Sequence, residues 1–349
     1  MNIFSLGKPL SEFYKLGKDF WNRCDFLTKK EIQNLSENDL KVASNIFERC
    51  ITLGQSIVSL PSIFYPEFLR QISNPPCVLY VKGNVRILSS KFPISVIGSR
   101  NATCYGSEMA YEISKEFANL GVTVISGGAL GADSSAHKGA IEGGGKTISV
   151  LACGLDFPYL EANLGLRRRI VKSGGALISE FPPGTSVLKY SFAVRNRIIS
   201  GISLGVVVVE AGLRSGAVLT ASFAAEQGRD VFVVPVLAQN PLSDGVFALI
   251  RDGAKVIRSA REVVDDYKNI NANFIPEKSA GCSTEFEVNQ KKVPDEFIPI
   301  IDAIKKGNSH IDEIKNESRM SIKKLLPLIT KMEILNLIES LPGRRYKIK

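Results

Sequence analysis

Histidine is nearly missing: only His137 and His310 occur in 349 residues. The six cysteines, at positions 24, 50, 77, 104, 153 and 282, never form a C-x-x-C pair. Zinc-ligand spacing is therefore absent, and scattered free thiols fit a reducing compartment. No apolar run reaches the roughly 20 residues that a bilayer span needs. Lys8, Glu12, Lys15 and Lys18 interrupt any secretory hydrophobic region near the N-terminus. These absences predict a cytoplasmic protein with no membrane partner, no metal and no cofactor.

What is present is apolar mass and positive charge. Hydrophobic residues make up 44%, enough for a sizeable core with one or two small appendages. Lysine and arginine number 44 against 35 acidic residues, a formal net charge of +9. That balance favours a polyanionic partner without naming one.

Four regions separate along the chain. Residues 1–56 read as a small helical module, with Leu40, Ala43 and Phe47 as the buried stripe of a helix that starts near Asn34 to Leu40. It is either a plain appendage or a docking element for a partner or nucleic acid. Residues 57–267 hold the main domain, entered through a proline-punctuated stretch and a strand at Val78–Val81. Apolar strands recur at Ile94–Ile97, Val122–Ile125, Ile148–Ala152, Ala176–Ile178, Val206–Val209 and Val231–Val236, with helical stretches between most of them. Unbroken Val/Ile runs mark strands buried on both faces. The alternation predicts an α/β fold: an extended Rossmann-like, doubly wound, mostly parallel sheet. Residues 268–293 are polar and aperiodic, a linker. Residues 294–349 read as helices at Phe297–Ile304, His310–Asn316 and Ile322–Leu335, then a hairpin around Pro342-Gly343-Arg344, which spells a winged helix-turn-helix.

In doubly wound sheets, ligands bind beyond the carboxyl ends of the strands. Here those ends carry Gly98-Ser99-Arg100, Ser126-Gly127-Gly128, Cys153-Gly154-Leu155-Asp156, Ser179-Glu180 and Glu210-Ala211-Gly212. After Gly98 a helix follows, its apolar positions at Met109, Ile113 and Phe117. Its N-terminal amides are expected to face the crevice, where Arg100 adds a fixed charge for a nucleic-acid phosphate. A dinucleotide is disfavoured: Ser99 and Arg100 replace the G-x-G-x-x-G pattern, and Ser126-Gly127-Gly128 stands where a ribose-binding acid belongs. Gly143-Gly144-Gly145-Lys146-Thr147 precedes a strand rather than following one, so it reads as a helix-to-strand turn and not a P-loop. Asp133 and His137, four apart, are expected to line the crevice from one helix, with acid–base chemistry as the alternative.

The densest signal is residues 189–201, where Lys189, Arg195 and Arg197 flank Tyr190 and Phe192 just before a helix. Cations for phosphates beside aromatics for stacking are what holding a single strand requires. Lys189 and Phe192 are expected contacts. Arg195, Asn196 and Arg197 join them in the same site, with burial against Glu180 or Glu210 as the other reading of the two arginines.

Taken together, Val96 to Arg100, Ser126 to Asp133, Ala136-His137, Leu151 to Asp156, Ser179 to Gly184, Arg195 to Gly201 and Leu249 to Ala254 resemble the DNA-processing protein A family (DprA, also called Smf). The resemblance covers roughly residues 60–260. It implies a homodimeric, non-enzymatic protein that protects incoming single-stranded DNA during natural transformation of competent cells and loads the RecA recombinase. It implies strand contacts at Arg100, Lys189 and Phe192, and a dimer contact around Val246–Ile257; the motifs themselves add Gly98, Ser99, Gly127, Gly128, Arg195, Asn196 and Arg197 to the candidate single-strand site. Leu130 stands where the family usually has arginine, which removes one pocket cation. The usual proline before R-N-R is replaced across Ala193-Val194, and the usual asparagine is absent from Gly245 to Ala248.

Two other functions compete. A phosphoribohydrolase-like nucleotide enzyme needs a P-G-G-x-G-T loop, for which Glu210 to Ala217 is no match. A winged-helix transcription regulator would act through residues 294–349, whose 11 basic and 8 acidic side chains give only a small positive excess. There Arg319, Lys323, Lys324, Arg344 and Arg345 are the candidate backbone contacts.

Overall fold

The apolar runs become the inner strands of one nine-stranded sheet. Its members are β1 (Ser56–Ser59), β2 (Val78–Gly83), β3 (Pro93–Ile97), β4 (Thr123–Ser126), β5 (Thr147–Val150), β6 (Ala176–Ser179), β7 (Gly205–Val208), β8 (Asp230–Val233) and β9 (Lys255–Val256). The computed structural model describes residues 10–37, 40–270, 297–305, 310–318, 320–334, 338–341 and 345–348. The strand order is β1-β2-β6-β5-β4-β3-β7-β8-β9. From β6 across to β9 all neighbours are parallel, while β2 joins β6, and β1 joins β2, antiparallel. β3 pairs with β4 on one side and β7 on the other, so a crevice opens where the winding reverses.

Strand bounds moved by a residue or more from the apolar runs. Leu151, Ala152 and Val234 are buried just beyond the strand ends, where the Leu151 amide still donates to the Ile178 carbonyl at 2.8 Å and the Val234 amide to the Val208 carbonyl at 3.1 Å. The two outermost strands, β1 and β9, escape sequence reading because neither carries a long apolar run.

Helices before and between the strands are α1 (Leu10–Lys15), α2 (Gly17–Trp21), α3 (Lys29–Glu37), α4 (Leu40–Thr52), α5 (Glu67–Arg70), α6 (Cys104–Asn119), α7 (Ala132–Glu142), α8 (Leu164–Lys172), α9 (Lys189–Gly201), α10 (Gly216–Glu226), α11 (Asp244–Arg251) and α12 (Ala260–Ile270). α6, α7 and α12 cover one face, burying Ile113, Phe117 and Val264 against Ile94 and Val96. α9, α10 and α11 cover the other with Ile198, Ala221 and Val246. Glycine-rich residues 143–146 make the helix-to-strand turn between α7 and β5.

One expectation fails in the N-terminal region. Leu40 and Phe47 are 59% and 56% exposed, and Ala43 is exposed too. The face of α4 turned inward is instead Ile46 and Cys50, packed near Tyr80 and Leu155, and on that side Arg49 pairs with Asp156 at 2.7 Å. α1 to α3 form a separate small cluster around Phe13, Trp21 and Ile32.

The chain divides into two compact units, Met1–Cys282 and Ser283–Lys349. The second holds α13 (Ile298–Lys305), α14 (Ile311–Ser318), α15 (Ile322–Ile334) and an antiparallel pair, β10 (Ile338–Leu341) and β11 (Arg345–Ile348). Its own core gathers Phe297, Ile314, Leu325, Ile329 and Met332. The expected linker falls outside the described residues from 271 onward, and α12 occupies its first positions. Arg319 and the Pro342-Gly343-Arg344 tip also lie outside them.

Candidate nucleic-acid interface

Beyond the carboxyl end of β3, the chain turns through Gly98, Ser99 and Arg100 into a crevice of about 490 Å³. α9 forms the facing wall with Lys189, Phe192 and Asn196, and α10 closes it with Gly216 and Thr220. The 189–201 run is not a prelude to a helix; it is the helix. Spacings of three and four residues therefore bring Lys189, Phe192 and Asn196 to one face. Tyr190, one position away, is 61% exposed and does not line the crevice.

Arg100 and Phe192 meet directly. The Arg100 guanidinium carbon lies 4.7 Å from the Phe192 ring centroid, a cation–π stack. Behind it, the Tyr159 ring is 5.7 Å from Phe192 and tilted by 57°. Sequence reasoning missed Tyr159; its signal was its place in the loop after β5, on the ligand side of the sheet. Leu160, next to it, holds a left-handed φ of 54°, which costs backbone energy for a residue with a Cβ. Among the described residues neither Arg100 nor Lys189 makes an ion pair.

The other two arginines of α9 serve differently. Arg195 is 5% exposed and its Nη1 donates to the Val150 carbonyl at 2.7 Å. Asp133 provides its counter-charge; burial pushes that carboxyl upward while Arg195 opposes the shift. Gly127 lies against this guanidinium, where a Cβ would strike Arg195, while Gly128 faces Ser149; both line a smaller cavity beside the crevice. Arg197 points away from the crevice and pairs with Glu180 at 2.5 Å. Asn196 Nδ2 donates to the Gly216 carbonyl at 3.2 Å, joining α9 to the start of α10.

The anion site expected at the N-terminus of α6 is already filled by the protein. Glu210, wholly buried at the end of β7, accepts from the Thr103 amide at 2.9 Å and from the Thr103 hydroxyl at 2.7 Å. Asn240 Nδ2 donates to the same carboxylate at 3.0 Å. Gly106 leaves the room for it, since a Cβ there would meet Glu210. Positive charge at this end of the crevice therefore comes from Arg100, not from helix amides.

His137 does not line the crevice. It is fully buried, its Nδ1 is 2.7 Å from the Thr147 hydroxyl, and burial with Arg195 nearby pushes it down to about 3. The expectation that no G-x-S-x-G elbow occurs needs correcting in its letters, since Gly201-Ile202-Ser203-Leu204-Gly205 has that spacing. It leads from a helix into a strand, and Ser203 is buried, donating to the Ile199 carbonyl at 3.0 Å, so it offers no exposed nucleophile. Leu130 is 43% exposed and lies outside the crevice lining. Among the described residues no group of three or more His, Cys, Asp or Glu side chains could hold a metal. No described helix is long and apolar enough to cross a membrane.

Comparison with known proteins follows this geometry. The family model for DNA recombination-mediator protein A matches residues 55–268, which contain the whole crevice. The chain belongs to the DNA recombination-mediator protein A family. It is 39% identical to the DNA processing protein DprA of Bacillus subtilis over 63% of this chain and 74% of that one. It is 33% identical to the protein Smf of Escherichia coli over 84% of this chain and 77% of that one. Among solved structures, DNA processing protein A from Streptococcus pneumoniae superposes with a TM-score of 0.63 at 35% identity, covering 71% of this chain and 86% of that chain. The Helicobacter pylori DNA processing protein A, whose structure concerns its unique single-stranded DNA binding mode, gives a TM-score of 0.56 at 28% identity, covering 62% and 96%. Membership in this family gives the chain a DNA-processing role.

Proposed function

We propose that this chain binds single-stranded DNA in the crevice between β3 and α9, protects it, and loads the RecA recombinase onto it during natural transformation and homologous recombination. The observation that carries the reading is the Arg100–Phe192 stack beside Lys189, two unpaired cations flanking an aromatic platform. Phosphates meet the cations and a base meets the ring, whichever base it is. Gly98, Ser99 and Asn196 line the contact surface, while Gly127, Gly128, Arg195 and Arg197 hold its frame. No catalytic role is assigned: Glu210, the acid nearest a hydrolase position, is committed to Thr103 and Asn240.

For the dimer, edge strand β9 supports a contact near its end of the sheet. Val256 there is 49% exposed, whereas Val246, Leu249 and Ile257 are consumed by the chain's own core. An unpaired edge is what a second copy can extend. The Ser283–Lys349 unit, with three helices and an antiparallel hairpin, is read as a winged helix that serves as an auxiliary module.

The test is a gel shift of the full chain with a single strand and with the matching duplex. Preferential retardation of the single strand, weakening steeply with salt as counterions are released, is expected. Equal or stronger duplex binding, lost on deletion of residues 294–349, would favour the regulator reading instead.

A further inference from the structure

Beside the crevice, Tyr159, Phe192 and the Gly127–Gly128 turn enclose a cavity of about 10 Å³, room for a single oxygen-sized atom. Two guanidiniums line it. Arg195, from α9, donates to the Val150 carbonyl and has the Asp133 carboxylate as an electrostatic neighbour, though its Nε has no hydrogen-bond partner. Arg167, from α8, has neither an acceptor nor a carboxylate neighbour: it is 6% exposed, its Nε has no hydrogen-bond partner, and among the described residues its guanidinium makes no ion pair. Its electrostatic neighbours are the Cys153 thiol and the Tyr159 hydroxyl, and burial pulls its pKa downward. A buried guanidinium left without an acceptor is costly, and the fold gains no internal bond from it.

We propose that Arg167 is a further DNA-binding residue, which completes its hydrogen bonds with an oxygen of a strand phosphate held beside the Arg100–Phe192 stack. This rests on the crevice being the single-strand site. Charge selects the ligand: Arg167 and Arg195 line the cavity with Arg100 close by, and these three outnumber the Asp133 and Asp156 carboxylates that act on Arg195 and Cys153, so an anion is favoured over a neutral base carbonyl. Position selects it too, since Phe192 lines both the cavity and the crevice, placing Arg167 one ring away from the cation at the rim. A guanidinium offers donors in a fixed fork suited to phosphate oxygens.

The experiment titrates wild type and Arg167→Met with a labelled oligodeoxythymidylate and with an abasic deoxyribose-phosphate strand of equal length, across a salt series. Methionine keeps the side-chain volume while removing the charge. Expected is an affinity loss of about tenfold for both strands and a shallower salt slope, by about 0.7. The thermal midpoint without DNA should be unchanged or higher, because an unpaired buried charge has gone. Wild-type affinity in the variant overturns the proposal, and so does a lowered midpoint with intact binding. Loss confined to the base-bearing strand overturns the phosphate assignment in favour of a base carbonyl. Failure of the wild type to bind either strand overturns the crevice reading itself, a result separable from the others.

Discussion

The rim of the crevice and the frame behind it use the same residue types to opposite ends. At the rim, Arg100 and Lys189 are exposed and unpaired, with Phe192 stacked beneath the arginine. In the frame, Arg195 and Arg197 are withdrawn from solvent: Arg197 pairs with Glu180, and Arg195 donates to the Val150 carbonyl within the field of Asp133. Lys189, Arg195 and Arg197 come from one helical run, so residue type alone cannot separate an unpaired surface cation from a strut. Position within the helical turn separates them. The difference teaches that the frame fixes the shape of the groove, while the rim supplies charge the protein itself has not neutralised.

The most forceful way to test that division is to break the frame. Arg195→Met strips the buried Val150 carbonyl of its charged donor and removes the cation that opposes the upward shift of Asp133, and should cost about 3 kcal/mol of stability in denaturant unfolding. A loss no larger than that of a rim substitution would erase the distinction between the two sets. Next in size is a pH effect of the same buried layer. Folded His137 is held at about 3, against about 6.5 when unfolded. Between those values the unfolded chain holds one more proton, so stability is lost as pH falls below the unfolded value. From pH 7 to pH 5 the loss is about 2 kcal/mol. Asp133, pushed upward by burial, works in the opposite sense at the acid end. His137→Gln should therefore flatten the acid limb of the stability curve; an unaltered limb would show that His137 is not the residue responsible. The smallest effect belongs to the rim: Phe192→Leu keeps an apolar side chain but removes the stacking face, and should weaken single-strand binding by about 1 kcal/mol, roughly fivefold.

Much of the fold is legible in the sequence because inner parallel strands are largely apolar on both faces, as Val206 to Val209 say directly; Ile94 to Ile97 is broken only by Ser95, which is buried and donates to the Ile199 carbonyl at 3.0 Å. Edge strand β9 is not, since two exposed residues carry no pattern. The misjudged stripe of α4 shows another limit: helical periodicity finds an apolar face but does not say which face meets the sheet. Here Ile46 and Cys50 meet Tyr80 and Leu155, and the Asp156 partner of Arg49 lies 107 residues away in sequence. In the site, Gly98 to Arg100 and Lys189 to Arg197 are visible as motifs. Glu210 capping α6, Tyr159 behind Phe192, and Arg167 in the side cavity arise from distant segments meeting, which no local pattern encodes.

The central claim is that unpaired rim cations hold the strand while the paired frame does not. Fluorescence anisotropy with a single-stranded oligonucleotide, comparing wild type with Arg100→Ala/Lys189→Ala, tests it most directly. The account predicts an affinity loss of roughly tenfold or more, at about 1–3 kcal/mol for each charge-assisted contact. It also predicts unfolding stability within about 0.5 kcal/mol of wild type, as both side chains lie at the surface. Binding unchanged in the double variant would contradict it.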